Sequence, residues 1–274
     1  MVGMDWIIAN ESTLRLSAFL GMLGLMLGWE WLKPARKPGF SRWLRWSSNL
    51  GIVVINTLVL RLLLPILAAG TAIWAADNQW GWLNRMEWPL WLEILIAIIL
   101  LDLAIYLQHV MVHAVPLFWR FHRMHHADLD YDATTGLRFH PVEILFSMLI
   151  KMALVASMGA PLLAVILFEI ILNVSSVFNH GNVRLPAWLE PWVRAIIVTP
   201  DMHRVHHSVI ERETNSNYGF CLSIWDRLFG TYRAQPAKGH SDMTIGLQYF
   251  RDEKELRLHK MLVQPAANPE SEPV

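Results

Sequence analysis

The sequence predicts an all-α integral membrane protein, with a bundle of about four to five membrane helices and a cytoplasmic helical cap that carries clustered histidines. Hydrophobic residues make up 54% of the chain and charged residues only 17%, whereas soluble domains carry about 25% charged residues. Several apolar runs are long enough to cross ~30 Å of hydrocarbon as helices. Most of the 12 histidines fall in short clusters instead of being scattered along the chain.

Five apolar runs in the chain are candidates for membrane helices. The second run is interrupted by Arg61 and Pro65, and the fourth is short and carries Lys151, so that it either spans the bilayer or only dips into it. Gly159, Ala160 and Pro161 alone separate the last two runs, which predicts a tight helical hairpin. The five runs cover about 14–32, 49–75, 90–113, 142–158 and 161–179.

Loop charge predicts how the helices are oriented. Residues 33–46 contain five Lys or Arg residues and no acid. The positive-inside rule therefore places this loop, and with it residues 114–141 and everything after 180, in the cytoplasm. The first 14 residues lack the positive charges of a signal peptide, so the first apolar run is expected to remain as a membrane helix. In a bacterium the membrane would be the cytoplasmic membrane, and an ER-type membrane fits equally well.

Composition excludes several classes of protein. The single cysteine, Cys221, rules out an internal disulfide and a thiolate zinc cluster. A formal net charge of zero offers no whole-chain electrostatic case for nucleic acid as a partner.

Three histidine clusters carry the predicted chemistry. One is HxxxH and two are HxxHH. Histidines at i and i+4 share a helical face and can reach one metal, while adjacent histidines diverge enough to serve two metals. Thr199 and Pro200 suit the N-cap and first position of a helix bearing the last cluster. The candidate metal ligands are His109, His113, His122, His125, His126, His140, His180, His203, His206 and His207.

The number of these imidazoles bears on the number of metal ions. Eight to ten of them exceed the four ligands of one zinc ion and fit two metals with about five ligands each. Imidazole binds Zn, Cu, Fe and Ni alike, so the type of ligand leaves the metal open.

The order of these motifs closely resembles the fatty acid hydroxylase/sterol desaturase superfamily. The resemblance covers roughly 95–235 and includes the histidine clusters, the segments WRFHR at 119–123 and RFHP at 138–141, and the segment IWDRLFGTY at 224–232. It implies a non-haem di-iron site with two iron ions, O2 as co-substrate and a lipid as substrate. It divides the chain into N-terminal membrane helices with a basic loop (1–94), a catalytic domain (95–235) and a polar, partly disordered C-terminal tail (236–274).

The resemblance also implies how the ligands divide between the two metals. Some members of the superfamily have a further histidine one turn before the position of His180, where this chain has Ser176. The second site is then one ligand short, or it is completed by water or by His140. The first metal would take His109, His113, His122, His126 and His206, and the second His125, His180, His203 and His207.

A centre of this kind can oxidise an unactivated C–H bond, which acid–base groups cannot do. The sequence leaves hydroxylation and desaturation open, and it leaves fatty-acyl, sterol-like, ether-lipid and other isoprenoid substrates open. Neither a dinucleotide-binding GxGxxG nor a haem-attaching CxxCH occurs in the chain. The electrons are therefore expected from a separate reductase, ferredoxin or cytochrome.

Three further residues are tentative partners of the ligands. Asp102 lies nearly two turns before His109, where it either orients a histidine or forms a helix–helix hydrogen bond. Asp201 either orients a ligand or favours the start of its helix. Asn217 matches a position of the superfamily, with its role open.

Some charged and histidine residues are expected to lie at the surface. His240 and His259 lack partners at ligand spacing. Arg120, Arg123 and Arg204 are expected to face anionic lipid rather than to bind a headgroup phosphate.

Two other functions compete with the oxygenase. A membrane protein that binds or transports zinc or another divalent ion could use the same histidines, but transport favours ligands near the bilayer midplane. A metallohydrolase needs a general base beside the metal, and no HExxH occurs.

Overall fold

A computed structural model describes residues 2–268, with side chains from residue 6 onward. Within this range the chain is helical and forms no strand apart from two isolated bridges. The α-helices are α1 Val2–Ala9, α2 Glu11–Leu32, α3 Arg42–Leu63, α4 Ala68–Asp77, α5 Leu90–Ala114, α6 Pro116–His126, α7 Pro141–Met158, α8 Leu162–Asn179, α9 Glu190–Ile196, α10 Pro200–His206, α11 Glu211–Thr214, α12 Ile224–Leu228, α13 Gly239–Asp242 and α14 Leu258–Val263.

Five segments are long and apolar enough to cross a membrane, which confirms the predicted class of fold. They are Glu11–Leu32, Arg42–Asp77, Leu90–Ala114, Pro141–Met158 and Leu162–Asn179. The second segment is divided into α3 and α4 by a break at 64–67. Pro65 lies in this break, and proline cannot donate the hydrogen bond that a continuous helix requires.

The hairpin of α7 and α8 turns at Gly159, which has φ +68°. A Cβ atom at this position would lie 2.5 Å from the carbonyl oxygen of Trp80, so only glycine fits both the conformation and the contact. Lys151, whose charge made the first arm questionable as a span, donates to Glu169 on the second arm at 2.9 Å. The pairing allows both charges to be buried within the helical bundle.

A loop at 127–140 connects α6, which belongs to the cap that carries the histidines, to α7 of the membrane bundle. Arg45 of α3 is almost fully buried, and its guanidinium donates to both carboxylate oxygens of Asp128 at 2.7 and 2.8 Å. The same guanidinium also pairs with Asp132. Arg45 holds the pKa of Asp128 at about 2, despite complete burial of the carboxylate. This ion-pair network fixes the loop to the start of α3.

Part of the segment after residue 236, which was predicted to be a polar and partly disordered tail, packs against α6 in the described residues. Pro265 is buried. Arg120 donates to its carbonyl oxygen at 2.8 Å, and Arg123 donates to the carbonyl of Ala267 at 2.6 Å. The predicted disorder at the end of the tail falls largely on residues 269–274, which lie outside the described residues.

Two predictions of surface exposure are wrong. Arg123 and Arg204 are fully buried, because their guanidinium groups are used to bind backbone carbonyls inside the cap. His240 is only 8% exposed, with Nε2 4.0 Å from Asp201. Burial lowers the pKa of His240 to about 4, so its ring is neutral at pH 7.

Helices α9 and α12 lie together along the side of the bundle. The backbone N–H of Leu222 and the indole of Trp225 both donate to Asp102, at 3.1 and 2.9 Å, near the middle of α5. Large apolar side chains on these helices, and just before the start of α9, are exposed, among them Trp188, Trp192, Ile196, Ile224 and Leu228. A contiguous exposed apolar surface of this kind marks contact with a membrane or a partner.

Candidate metal centre

Three helices bring the histidine clusters to one place. HxxxH lies at the end of α5, the first HxxHH ends α6, and the second HxxHH lies on α10 and the residue after it. Pro116 begins α6, two residues after the last residue of α5. The hydroxyl of Thr199 accepts from the backbone N–H of Met202 and caps α10, as the sequence predicts. The clusters therefore converge on a single region of the cap.

Nine of the ten candidate histidines form two groups. Within each group, one nitrogen from every ring lies within 4.8 Å of the others. The groups touch, since the ring centroids of His126 and His207 are 4.6 Å apart. The first group is His109, His113, His122, His126 and His206, and the second group is His125, His180, His203 and His207.

Backbone carbonyls orient two rings of the first group. Nδ1 of His109 lies 2.8 Å from the carbonyl oxygen of Tyr218, and Nδ1 of His206 lies 2.8 Å from that of Ser216. A carbonyl can only accept, so Nδ1 of each ring carries the proton and Nε2 carries the lone pair. Both Nε2 atoms are buried and have no partner among the described residues.

Side chains orient two further rings of this group. Nδ1 of His122 lies 2.6 Å from Oε1 of Glu143, and Nδ1 of His113 lies 3.2 Å from Oδ1 of Asn215. Again both Nε2 atoms are buried without a partner in the described part of the chain. Histidine ligands of metals typically donate their second ring nitrogen in this way, so the residues fit a bound metal ion.

Residues 215–218, called the anchor segment below, supply three of these four partners. Between the two anchoring carbonyls, Asn217 adopts φ +53°, a left-handed conformation that asparagine tolerates better than most residues. Its amide donates to the carbonyls of Met202 and Arg233 at 2.9 and 2.8 Å and accepts from the backbone N–H of Arg233. Asn217 thus fixes the anchor segment without touching a histidine.

The second group is held differently. Nδ1 of His180 lies 2.8 Å from the carbonyl oxygen of Ser176, so its Nε2 has the free lone pair. The Nε2 atoms of His125 and His203 each lie 3.1 Å from that atom. Three Nε2 atoms facing one another cannot all be satisfied by hydrogen bonds, but they match convergent ligands of one metal. Nδ1 of His125, of His203 and of His207 has no partner within residues 2–268.

Six histidine rings of the two groups are neutral at pH 7, as metal ligands must be. Burial is the largest cause that lowers their pKa values, and neighbouring imidazoles add to it. The pKa of His180 falls to about 3. Those of five further rings fall well below the usual value: His125, His126, His203, His206 and His207.

His140 lies outside both groups. Its Nδ1 accepts from the backbone N–H of Val142 at 3.2 Å, which caps α7, and its Nε2 is 3.3 Å from the carbonyl oxygen of Leu262. Ser176 stands where some members of the superfamily have a further histidine, and its hydroxyl donates to the carbonyl of Gly136 at 2.7 Å. The second group therefore has four histidines in the structure.

The two aspartates singled out in the sequence do not contact a histidine of either group. Asp102 accepts from Leu222 and Trp225, as described above, and this corresponds to the helix-contact alternative. Asp201 pairs with Arg204 and lies 3.4 Å from Nε of Arg184. The sequence analysis did not identify Glu143 as a partner of a ligand. A backbone carbonyl that binds a histidine leaves no signal in the residue types.

Two cavities adjoin the groups. An outer cavity of about 700 Å³ opens beside the first group and is lined by His113, Trp119, Arg120, Asn215 and Gln248 among others. An inner cavity of about 260 Å³ lies among α2, α3, α5, α7 and α8, beneath the histidines. Phe139, in the wall of the inner cavity, stacks on His125 with ring centroids 4.5 Å apart.

Fold and site together define a helical membrane protein with two adjoining histidine groups that could each hold a metal ion. The fatty acid hydroxylase family model matches residues 94–231, about half of the chain. The chain belongs to this family. No solved structure matches it significantly.

Similar proteins are lipid hydroxylases and monooxygenases. The chain is 30% identical to ornithine lipid hydroxylase of Rhizobium tropici over 58% of its own length and 47% of the relative. It is 28% identical to human alkylglycerol monooxygenase over 64% of its own length and 35% of the relative. It is 27% identical to rat cholesterol 25-hydroxylase over 53% and 48%. The chain thus matches about half or less of the length of these relatives.

Proposed function

We propose that the protein is a membrane-bound di-iron oxygenase that uses O2 and external electrons to hydroxylate or desaturate a lipid. The observation that carries this proposal is the pair of adjoining histidine groups, in each of which one nitrogen of every ring lies within 4.8 Å of the others. Iron, rather than zinc, is proposed because the relatives are hydroxylases and monooxygenases, whose reaction is redox.

The chain's own residues hold the ligands in place. Two iron ions, when bound by the two groups, would supply the electrons that activate O2 for C–H oxidation. The anchor segment and Glu143 keep the Nε2 atoms of the first group pointing inward, and Ser176 does the same for His180. Burial of eight of the nine rings excludes bulk water from the site.

Lipid is the proposed substrate because the site lies at the end of a membrane bundle and because the relatives act on lipids. We place the site at the cytoplasmic face, since the basic loop at 33–46 precedes α3 on the same side as the histidines. We further propose that 95–235 is the catalytic unit. A separate reductase, ferredoxin or cytochrome would deliver the electrons.

The competing function is binding or transport of zinc or another divalent ion without redox chemistry. Transport sites are expected near the bilayer midplane. The two groups instead gather residues at or beyond the ends of α5, α6 and α8, which favours the oxygenase.

The experiment that tests the function is mass spectrometry of lipids from cells that express the protein, grown under ¹⁸O2. We expect an O2-dependent lipid that has gained ¹⁸O or lost two hydrogens. His125→Ala should abolish this product, and His259→Ala, which lies outside both groups, should keep it. Unchanged lipids in cells with abundant, iron-loaded protein would contradict the proposal.

A further inference from the structure

The inner cavity adjoins both histidine groups from the membrane side. Glu143 lines it and binds His122 of the first group. Phe139 lines it and stacks on His125 of the second group. A molecule in this cavity would therefore contact side chains that themselves contact a histidine of each group. Much of the remaining wall is apolar, including Phe19, Val53, Leu60, Ile105 and Leu172.

Three oxygen atoms of cavity-lining side chains are buried and have no hydrogen-bond partner among the described residues. They are Oδ1 of Asn56, Oε1 of Gln108 and Oε2 of Glu143. Each is an acceptor, and the three come from three different helices, α3, α5 and α7. Buried polar atoms are nearly always satisfied in folded proteins, so this set points to a ligand or to ordered water.

Several donors in the same wall form hydrogen bonds within the protein. The amide of Asn56 donates to the carbonyl of Phe139 at 3.0 Å, and that of Asn173 donates to the carbonyl of Glu169 at 2.8 Å. The hydroxyl of Ser176 donates to the carbonyl of Gly136. The three buried acceptors without a partner among the described residues thus match a ligand group that donates hydrogen bonds.

We propose that the inner cavity selects lipids that carry a hydroxyl or amide N–H close to the carbon that is oxidised, with Asn56, Gln108 and Glu143 as acceptors for these donors. This inference rests on the proposed function and narrows its substrate. The cavity volume, about 260 Å³, lies just below the lower end of typical ligand pockets, about 300 Å³. It suits the polar end and first methylenes of a lipid, and the remaining chain would extend between the helices into the bilayer.

The test compares two probes that differ only in their donors. One is 1-O-hexadecylglycerol, with two free hydroxyls, and the other is its di-O-methyl ether, with none. Binding of each to iron-loaded protein in nanodiscs is measured by native mass spectrometry. We expect the diol to bind at least about tenfold more tightly, because the ether leaves buried acceptors unpaired.

Variants of the cavity-lining residues test whether the preference for the diol over its ether arises in the cavity. Gln108→Met keeps the length of the side chain and removes its acceptor, and Asn56→Leu removes another. Each should reduce the preference severalfold, mainly by weakening binding of the diol. Thr71→Val is the control, because Thr71 donates to the carbonyl of Leu67 in its own helix turn and lines neither cavity.

Equal affinities of the two probes in the wild-type protein would overturn the inference and indicate that water fills the cavity. An unchanged preference in both variants would overturn it as well. Iron content and formation of an ¹⁸O-labelled product, measured on the same samples, test the proposed function separately, so either conclusion can fail while the other stands.

Discussion

The two histidine groups differ in how their second ring nitrogens are held. In the first group, four of five rings are oriented by hydrogen bonds from Nδ1, three of them to the anchor segment. In the second group, His180 is the one ring with such a bond to a described residue. Such bonds fix the tautomer and direction of a ligand and strengthen metal binding. The first site is therefore expected to be preorganised, and the second to depend more on the bound metal for its order.

Removing a ligand gives the largest expected effect. His206→Ala, in the first group, and His125→Ala, in the second, should each abolish lipid oxidation, because two metals must act together. Metal analysis should show a loss of about one iron per chain in each variant. Unchanged turnover in either variant would remove that residue from the ligand set. His259→Ala serves as the control.

Loosening the anchor segment is expected to have the next largest effect. Asn217→Ala removes the amide bonds that fix the segment and places alanine at φ +53°, which costs about 1–2 kcal/mol. Iron affinity of the first site should fall about 100-fold, and that of the second should change little. Asn217→Gly tolerates the conformation but also lacks the amide. If glycine restores full affinity, the amide bonds are not what positions the ligands.

A single anchor should matter less than the segment. Glu143→Leu removes the acceptor for Nδ1 of His122 and should lower iron affinity of the first site about 10-fold. Glu143→Gln keeps an oxygen that can accept from His122, so its affinity should stay close to that of the wild type. Equal losses in the two variants would show that negative charge, and not orientation of the ring, is what the site requires.

The smallest expected effect concerns the rate at which metal leaves. On treatment with a chelator, iron should be lost in two phases, the faster one from the second group. His125→Ala should then retain only the slow phase and His206→Ala only the fast phase. Stopped-flow absorbance with a chromogenic iron chelator measures both. A slow phase assigned to the second group would reverse the comparison between the two sites.

Much of the fold follows from hydropathy. The predicted runs match the five membrane segments to within a few residues except at the start of the second, where Arg42 and Arg45 are charged and yet belong to α3. Arg45 is buried there because its charge is neutralised by Asp128 and Asp132, which lie more than eighty residues later. Hydropathy along the sequence contains no information about such a distant partner.

The site was predictable where helical spacing determines geometry. The alternation of adjacent histidines between the two groups, as in His125 and His126, follows from their positions on one helix. The anchors were not predictable, because Tyr218 and Ser216 contribute backbone carbonyls, which every residue possesses. His240 appeared to be a surface residue because its buried neighbour, Asp201, is distant in sequence. The grouping of the nine histidines is a feature of the structure, and their binding of metal stays a prediction.

The measurement that tests the central claim most directly is the metal content of detergent-purified protein, together with the Mössbauer spectrum of a sample enriched in ⁵⁷Fe. Two unequal histidine groups in contact predict about two irons per chain, exchange-coupled and in two distinguishable environments. Zinc alone, with no uptake of iron under anaerobic reconstitution, would contradict the account and favour a zinc-binding protein.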